Sequence, residues 1–107
     1  MPMRLVLCAC PDIDSAERIA GVLIEDRLAA CVSCLPGVRS LYRWRGKLER
    51  SSEVQLLIKT AADQVDALVG RIVALHPYEL PEVIVVEPDS ALPAYAQWVV
   101  DQTREES

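Results

Sequence analysis

Apolar and polar positions along the chain repeat with two different periods, and the switches between them mark out the elements. "RLVLCAC" (4–10) is a short apolar run of small and branched residues ended by Pro11, and it reads as a buried strand. In "DIDSAERIAGVLIEDRLA" (12–29), Ala16, Ile19, Ala20, Leu23, Ile24 and Leu28 keep helical spacing on one face. Asp14, with Glu17 three residues on, gives that helix a capping-box-like start. "AACVSCL" (29–35) is a second strand, interrupted by Pro36-Gly37.

Alternation then takes over. Val38, Ser40, Tyr42 and Trp44 face one way, and Arg39, Leu41, Arg43 and Arg45 the other. Gly46 stands where a tight hairpin turn needs a positive φ. The return strand carries Val54, Leu56 and Ile58 on one face. Thr60 is positioned to cap the next helix, 61–76, whose stripe is Val65, Leu68, Val69, Ile72 and Leu75, and Pro77 ends it. "EVIVVE" (82–87) reads as a buried strand. "LPAYAQWVVDQTR" (92–104) reads as a helix with Pro93 in its first turn, burying Tyr95, Trp98, Val99 and Gln102 or Thr103. A polar tail, "REES", follows.

The order β-α-β-β-α-β plus one helix predicts an α+β fold. It is a ferredoxin-like sandwich with two helices on one face of an antiparallel sheet, a long β-hairpin and an extra C-terminal helix. Length and composition fit one domain over 1–107. Taken as nearly continuous strand, residues 29–45 would span roughly 55 Å at ~3.3 Å per residue. The first strand is about half as long. The overhang would leave Leu41, Tyr42 and Trp44 uncovered on open edges, which predicts that another copy of the chain covers them.

Charge and cysteine content narrow the function. The formal charge of −5 argues against a nucleic-acid binder that works by neutralising phosphates. The basic run Arg39, Arg43, Arg45, Lys47, Arg50 reads as a solvated face. No apolar run is long enough to span a membrane, and the N-terminus lacks the apolar core of a signal peptide, so a cytoplasmic protein is expected. The four cysteines are then expected as thiols. On strands, Cys8 and Cys10 share a face while Cys31 and Cys34 point opposite ways. One pair could clasp a soft ion, but the spacing argues against all four in a single zinc tetrahedron.

Four stretches in this order resemble the CutA family, the divalent-cation tolerance proteins. They are "RLAACV", "LPGVRSLYRWRGK", the "EVQLLIKT" strand and "HPYELPE". The resemblance runs from "VLCACPD" to Trp98. It implies a ferredoxin-like homotrimer, similar in build to the PII-type signalling proteins, with the hairpins packed around a three-fold axis. It also implies copper tolerance and copper binding, in animals an association with acetylcholinesterase anchoring, and no established reaction. The family's recurrent polar residues gather near clefts between subunits, and the matching positions here are Cys31, Trp44, Lys59, His76, Tyr78, Glu79 and Glu82. Arg45, Val86-Glu87-Pro88 and Ala91 depart from the family's usual residues, and Cys10 and Cys34 are less typical of it.

His76 is the only imidazole and the residue best suited to Cu(II), whereas thiolates suit Cu(I). Glu79, Glu82 and Cys31 are its candidate helpers, and Cys8 with Cys10 the candidate soft pair. The plainer alternatives are a histidine that ends its helix facing the last carbonyls and a cysteine that is a small core residue. Lys59 beside Cys31 could activate the thiol, and Cys31, His76 and Glu79 could be drawn as nucleophile, base and orienter, but nothing in their spacing demands an enzyme. Lys59 and Glu82 could equally form an ion pair at an interface. Copper or another divalent cation is possible as a bound ion, and none is firmly implied.

Overall fold

The computed structural model describes residues 2–105, so Glu106 and Ser107 of the polar tail lie outside the described residues. Its strands are β1 (Met3–Cys10), β2 (Cys31–Trp44), β3 (Lys47–Ala61) and β4 (Val83–Val86). The helices are α1 (Ile13–Glu25), α2 (Val65–Leu75) and α3 (Pro93–Gln102), with a 3-10 turn at Ala62–Gln64 leading into α2. The strands form one antiparallel sheet in the order β2-β3-β1-β4. The expected βαββαβ order and extra helix are all present.

Period-two alternation decides what each face of the sheet buries. Val6, Cys8 and Cys10 of β1 and Val54, Leu56 and Ile58 of β3 point into the main core, against Ala16, Ile19 and Leu23 of α1 and Leu68 and Ile72 of α2. The opposite face carries Met3 and Leu5, and there α3 packs through Ala96 and Val99. Both predicted stripes are therefore correct at their centres. Ile24, at the edge of the first stripe, is exposed.

Several local expectations change. Asp12, not Asp14, caps α1: its carboxylate accepts from the Ser15 N–H at 2.8 Å. The Glu17 half of the box is not needed once the cap moves two residues back. The far end of α1 closes with paired bonds, Arg27 N–H to Ile24 O and Leu28 N–H to Leu23 O, with Arg27 left-handed at φ 57°. Thr60 is not a cap. It ends the buried face of β3, and its hydroxyl donates to Leu28 O at 2.6 Å, tying the α1–β2 loop to the sheet.

The β2–β3 turn is Arg45-Gly46, with φ of 51° and 81°, the left-handed pair of a two-residue hairpin. Arg45 is thus a turn residue, not the last of an alternating row. Pro36-Gly37 does not split the strand; it makes a bulge that shifts the register between Leu35 and Val38.

β4 was expected to be buried, but it lies at the sheet edge with Ile84, Val85 and Val86 exposed. Its branched run suits a strand, but among the described residues only Val83 of it packs against the core. In α3 the buried positions are Ala96 and Val99, followed by Thr103 just past its end, while Tyr95 and Trp98 stack on each other on the exposed side. The small alanine is what lets α3 approach the sheet. The hairpin stretches the molecule to 49 Å against 22 Å in its shortest direction.

Candidate functional site

Two elements bring the buried polar chemistry together. Alternation along β1 sends Cys8 and Cys10 under the helices, both fully buried. The second element is the end of α2. His76 donates its N–H to Ile72 O and then turns extended, at ψ 136°, because Pro77 disfavours helical backbone before it. That turn folds the imidazole inward, away from the helix carbonyls it was expected to face. Nε2 lies 2.7 Å from Ala9 O of β1, and Nδ1 accepts the Tyr78 N–H at 3.1 Å. A backbone N–H can only donate, so Nδ1 is the bare nitrogen and Nε2 carries the proton to Ala9 O.

Cys10 Sγ is 3.8 Å from His76 Nε2, and the ligand atoms of Cys8, Cys10 and His76 all lie within 4.8 Å of one another. A trigonal site of two sulfurs and one nitrogen, with metal–sulfur bonds of ~2.3 Å and metal–nitrogen bonds of ~2.0–2.1 Å, would separate sulfur from nitrogen by roughly 3.8 Å. The residues therefore fit a soft or borderline ion with small movement. Loading would displace the thiol protons and shift the Nε2 proton to Nδ1, and so would release both the Ala9 and the Tyr78 bonds of the ring. Hydrogen bonding between the two thiols, followed by burial, raises the Cys8 pKa; the same bond lowers that of Cys10.

The other expected ligands lie elsewhere. Cys31 pairs across the sheet with Lys59, on the opposite face from Cys34. Lys59 Nζ reaches Ser33 Oγ at 2.7 Å and Cys31 Sγ at 3.9 Å. Within the chain, Glu82 accepts from Gln55 Nε2 at 3.3 Å. Glu79 pairs with Arg45 at 3.3 Å beside the hairpin turn. Cys31, His76 and Glu79 therefore do not meet as a triad. Burial raises the pKa of Cys34 and, with help from Cys31, that of Tyr95.

Trp44, Tyr78, Glu79 and Glu82 do converge, together with Leu41 and Tyr42, on an open cavity of about 520 Å³. Lys59 is not among its lining residues. Sequence reasoning missed Glu53, which also lines it and accepts the Tyr78 hydroxyl at 2.8 Å. Burial first, and this bond second, hold the Tyr78 phenol above its ordinary pKa. The available signal was register: once the hairpin pairs Val38 with Glu53, that carboxylate shares a face with Ser40, Tyr42 and Trp44.

Comparison with known proteins identifies the family. At 46% identity over 95 residues, the chain is similar to the divalent-cation tolerance protein CutA of Pectobacterium atrosepticum, covering 89% of this chain and 86% of that one. Among solved structures, CutA from Xylella fastidiosa superposes with a TM-score of 0.95 at 49% identity, covering 97% of this chain and all of that one. CutA1 from Oryza sativa gives 0.93 at 37% identity, with coverage of 99% and 97%. The sequence profile of the CutA1 divalent ion tolerance proteins matches residues 4–102, and the chain belongs to that family.

Proposed function

We propose that this chain is a metal-responsive protein that assembles as a homotrimer in the cytoplasm and binds copper, with Cys8, Cys10 and His76 as its soft-metal site. The observation that carries the metal reading is the approach of three buried ligand atoms to within 4.8 Å. Two thiolates and one imidazole favour Cu(I) or another soft ion over a hard one. Four free thiols support a reducing compartment. Among the described residues no helix is long and apolar enough to cross a membrane. Cys31 and Glu79 stay outside the proposed first ligands, and no reaction is part of this reading.

Trimer formation is supported by the exposed overhang, where Leu41, Tyr42, Trp44 and Leu48 stand uncovered, and by the open edge at β4. Light scattering should give about three times the 11.8 kDa chain, roughly 35 kDa. A monodisperse monomer would defeat the assembly. Calorimetry with Cu(I) and Cu(II) on wild type, His76→Ala and Cys8→Ser/Cys10→Ser tests the site. Cu(I) affinity should collapse in the double serine variant, and Cu(II) affinity should depend on His76. Unchanged Cu(I) binding without both thiols would remove the cluster from the function.

A second reading, a PII-like regulator that holds a small molecule in a cleft, is favoured by the cavity between the hairpin and the 76–82 loop.

A further inference from the structure

His76 uses both ring nitrogens on backbone groups: Nε2 donates to Ala9 O at 2.7 Å and Nδ1 accepts the Tyr78 N–H at 3.1 Å. Only a neutral ring protonated at Nε2 serves both partners. A metal ion takes the lone pair of whichever nitrogen it meets, and the neutral ring then carries its one proton on the other. Held through Nε2, the ring would turn an N–H toward the Tyr78 N–H, donor against donor. Held through Nδ1, it would have no lone pair left for that N–H. Tyr78 loses its acceptor on either route. Loading at Cys8, Cys10 and His76 is therefore incompatible with the present position of Tyr78.

Tyr78 also ties the 76–82 loop to the hairpin. Its hydroxyl donates to Glu53 Oε2 at 2.8 Å, and its ring centre lies 4.9 Å from that of His76. Glu53 has a particular place in the sheet. β1 pairs with β3 as far as Cys10 opposite Val54, and Glu53 comes next, opposite Val38 just beyond the bulge. It is thus the first residue of β3 on the overhang. Cys10, in that last pair of β1, has its sulfur 3.8 Å from Nε2. The thiols, the imidazole, the amide and hydroxyl of Tyr78 and the root of the hairpin therefore form one chain of contacts inside a single subunit. No neighbouring copy is needed to complete it.

We infer that His76 makes the metal site a switch: Cu(I) binding at Cys8, Cys10 and His76 displaces Tyr78 and frees Glu53, the carboxylate at the root of the hairpin. The inference rests on the metal reading proposed above and adds how loading is felt outside the core. Linkage makes the effect reciprocal. Whatever holds Tyr78 on Glu53 opposes loading, and loading weakens that hold by the same factor. The two bonds of the ring act together here. Nδ1 fixes where the loop starts, and the Tyr78 hydroxyl fixes which part of β3 it holds.

The test uses the wild-type protein with Cu(I) added in the absence of oxygen. His76 is the only histidine, so nitrogen labelling of histidine gives the ring signals of one residue in magnetic resonance. Without metal they should report a proton on Nε2 and a bare Nδ1. With Cu(I) one nitrogen should be ligated and the other protonated, and the Tyr78 amide should shift. Hydrogen exchange should speed at the amides around Val38 and Glu53 and stay unchanged at Leu56 and Ile58. Tyr78→Phe keeps the ring but cannot hold Glu53, and should tighten Cu(I) about tenfold, as loss of a hydrogen bond to a charged acceptor implies. If that variant does not fold, the ring and amide signals of the wild type decide. Absence of Cu(I) binding, or full binding by Cys8→Ser/Cys10→Ser, would remove the metal site and the switch with it. Binding through the thiols with the ring proton still on Nε2 and the Tyr78 amide unmoved would overturn the switch alone, and so would wild-type affinity in Tyr78→Phe.

Discussion

The two ends of the hairpin obey different rules. Where β3 runs beside β1, Val54, Leu56, Ile58 and Thr60 are buried almost completely, the first three in the core formed with the helices of the same chain. Beyond the bulge at Pro36-Gly37 the same two strands continue past the end of β1, and residues 41–48 are all exposed. The backbone pairing is equally regular in both halves. Only the covering differs. Strand formation therefore does not depend on burial within the chain here, and the outer half leaves Leu41, Tyr42, Trp44 and Leu48 exposed.

The sharpest way to break that contrast is to remove a side chain from the inner half. Leu56 is fully buried between the helices, so Leu56→Ala should cost about 2–5 kcal/mol in urea unfolding, through lost transfer free energy and the cavity left behind. The loss should be the same at low and high protein concentration, because nothing outside the chain covers Leu56. A loss below about 1 kcal/mol would mean that the core collapses around the gap.

Trp44→Ala probes the outer half and should behave in the opposite way. A large aromatic on an overhang is the kind of residue that anchors an interface, worth ~2 kcal/mol or more on truncation. Its effect should appear as a shift to smaller species in light scattering, and as a melting temperature that now varies with concentration. An unchanged trimer with unchanged heat resistance would place the anchor elsewhere, with Leu41 or Leu48 as the next residues to truncate.

Thr60 lies at the inner extreme of the comparison, where one polar group is buried with the apolar ones. Its hydroxyl donates to Leu28 O and so fixes the loop that delivers β2 to the sheet edge. Thr60→Val keeps the shape and removes the donor, and should cost ~1–3 kcal/mol because Leu28 O is left without it. Thr60→Ser should recover most of the loss. If valine is tolerated without cost, the hydroxyl is dispensable and packing alone holds the loop.

The same contrast explains what the sequence could reveal. Elements whose partners lie within the chain were readable from period alone: both helical stripes, the inward row of β3 and the positive φ at Gly46. β4 was misread because a branched run signals burial, whereas Ile84, Val85 and Val86 are exposed at the sheet edge. Tyr95 and Trp98 were misread for a related reason, since size suggested the buried face and the small Ala96 occupies it. At the candidate metal site, Cys8 and Cys10 could be paired from β-alternation. Their meeting with His76 could not, because it depends on how a helix end folds back over a strand 66 residues away. Glu53 was invisible for want of the register that places it beneath Tyr78.

The smallest expected effect concerns the start of α1, at the junction between β1 and its first helix. Asp12 accepts the Ser15 N–H, and bonds from the Ser15 backbone and hydroxyl hold its carboxyl below its ordinary pKa. A folded-state pKa below the unfolded one contributes stability that is present above the unfolded value and is lost as pH falls through the folded value. Asp12→Asn keeps an acceptor oxygen for the cap but removes the charge. Its melting temperature should therefore lie slightly below wild type at neutral pH, and the two curves should converge as acid protonates Asp12. Asp12→Ala removes the acceptor too and should stay below wild type at every pH at which the protein folds. If asparagine and wild type melt alike at neutral pH, the cap works through its hydrogen bond alone and the charge contributes nothing to the helix start.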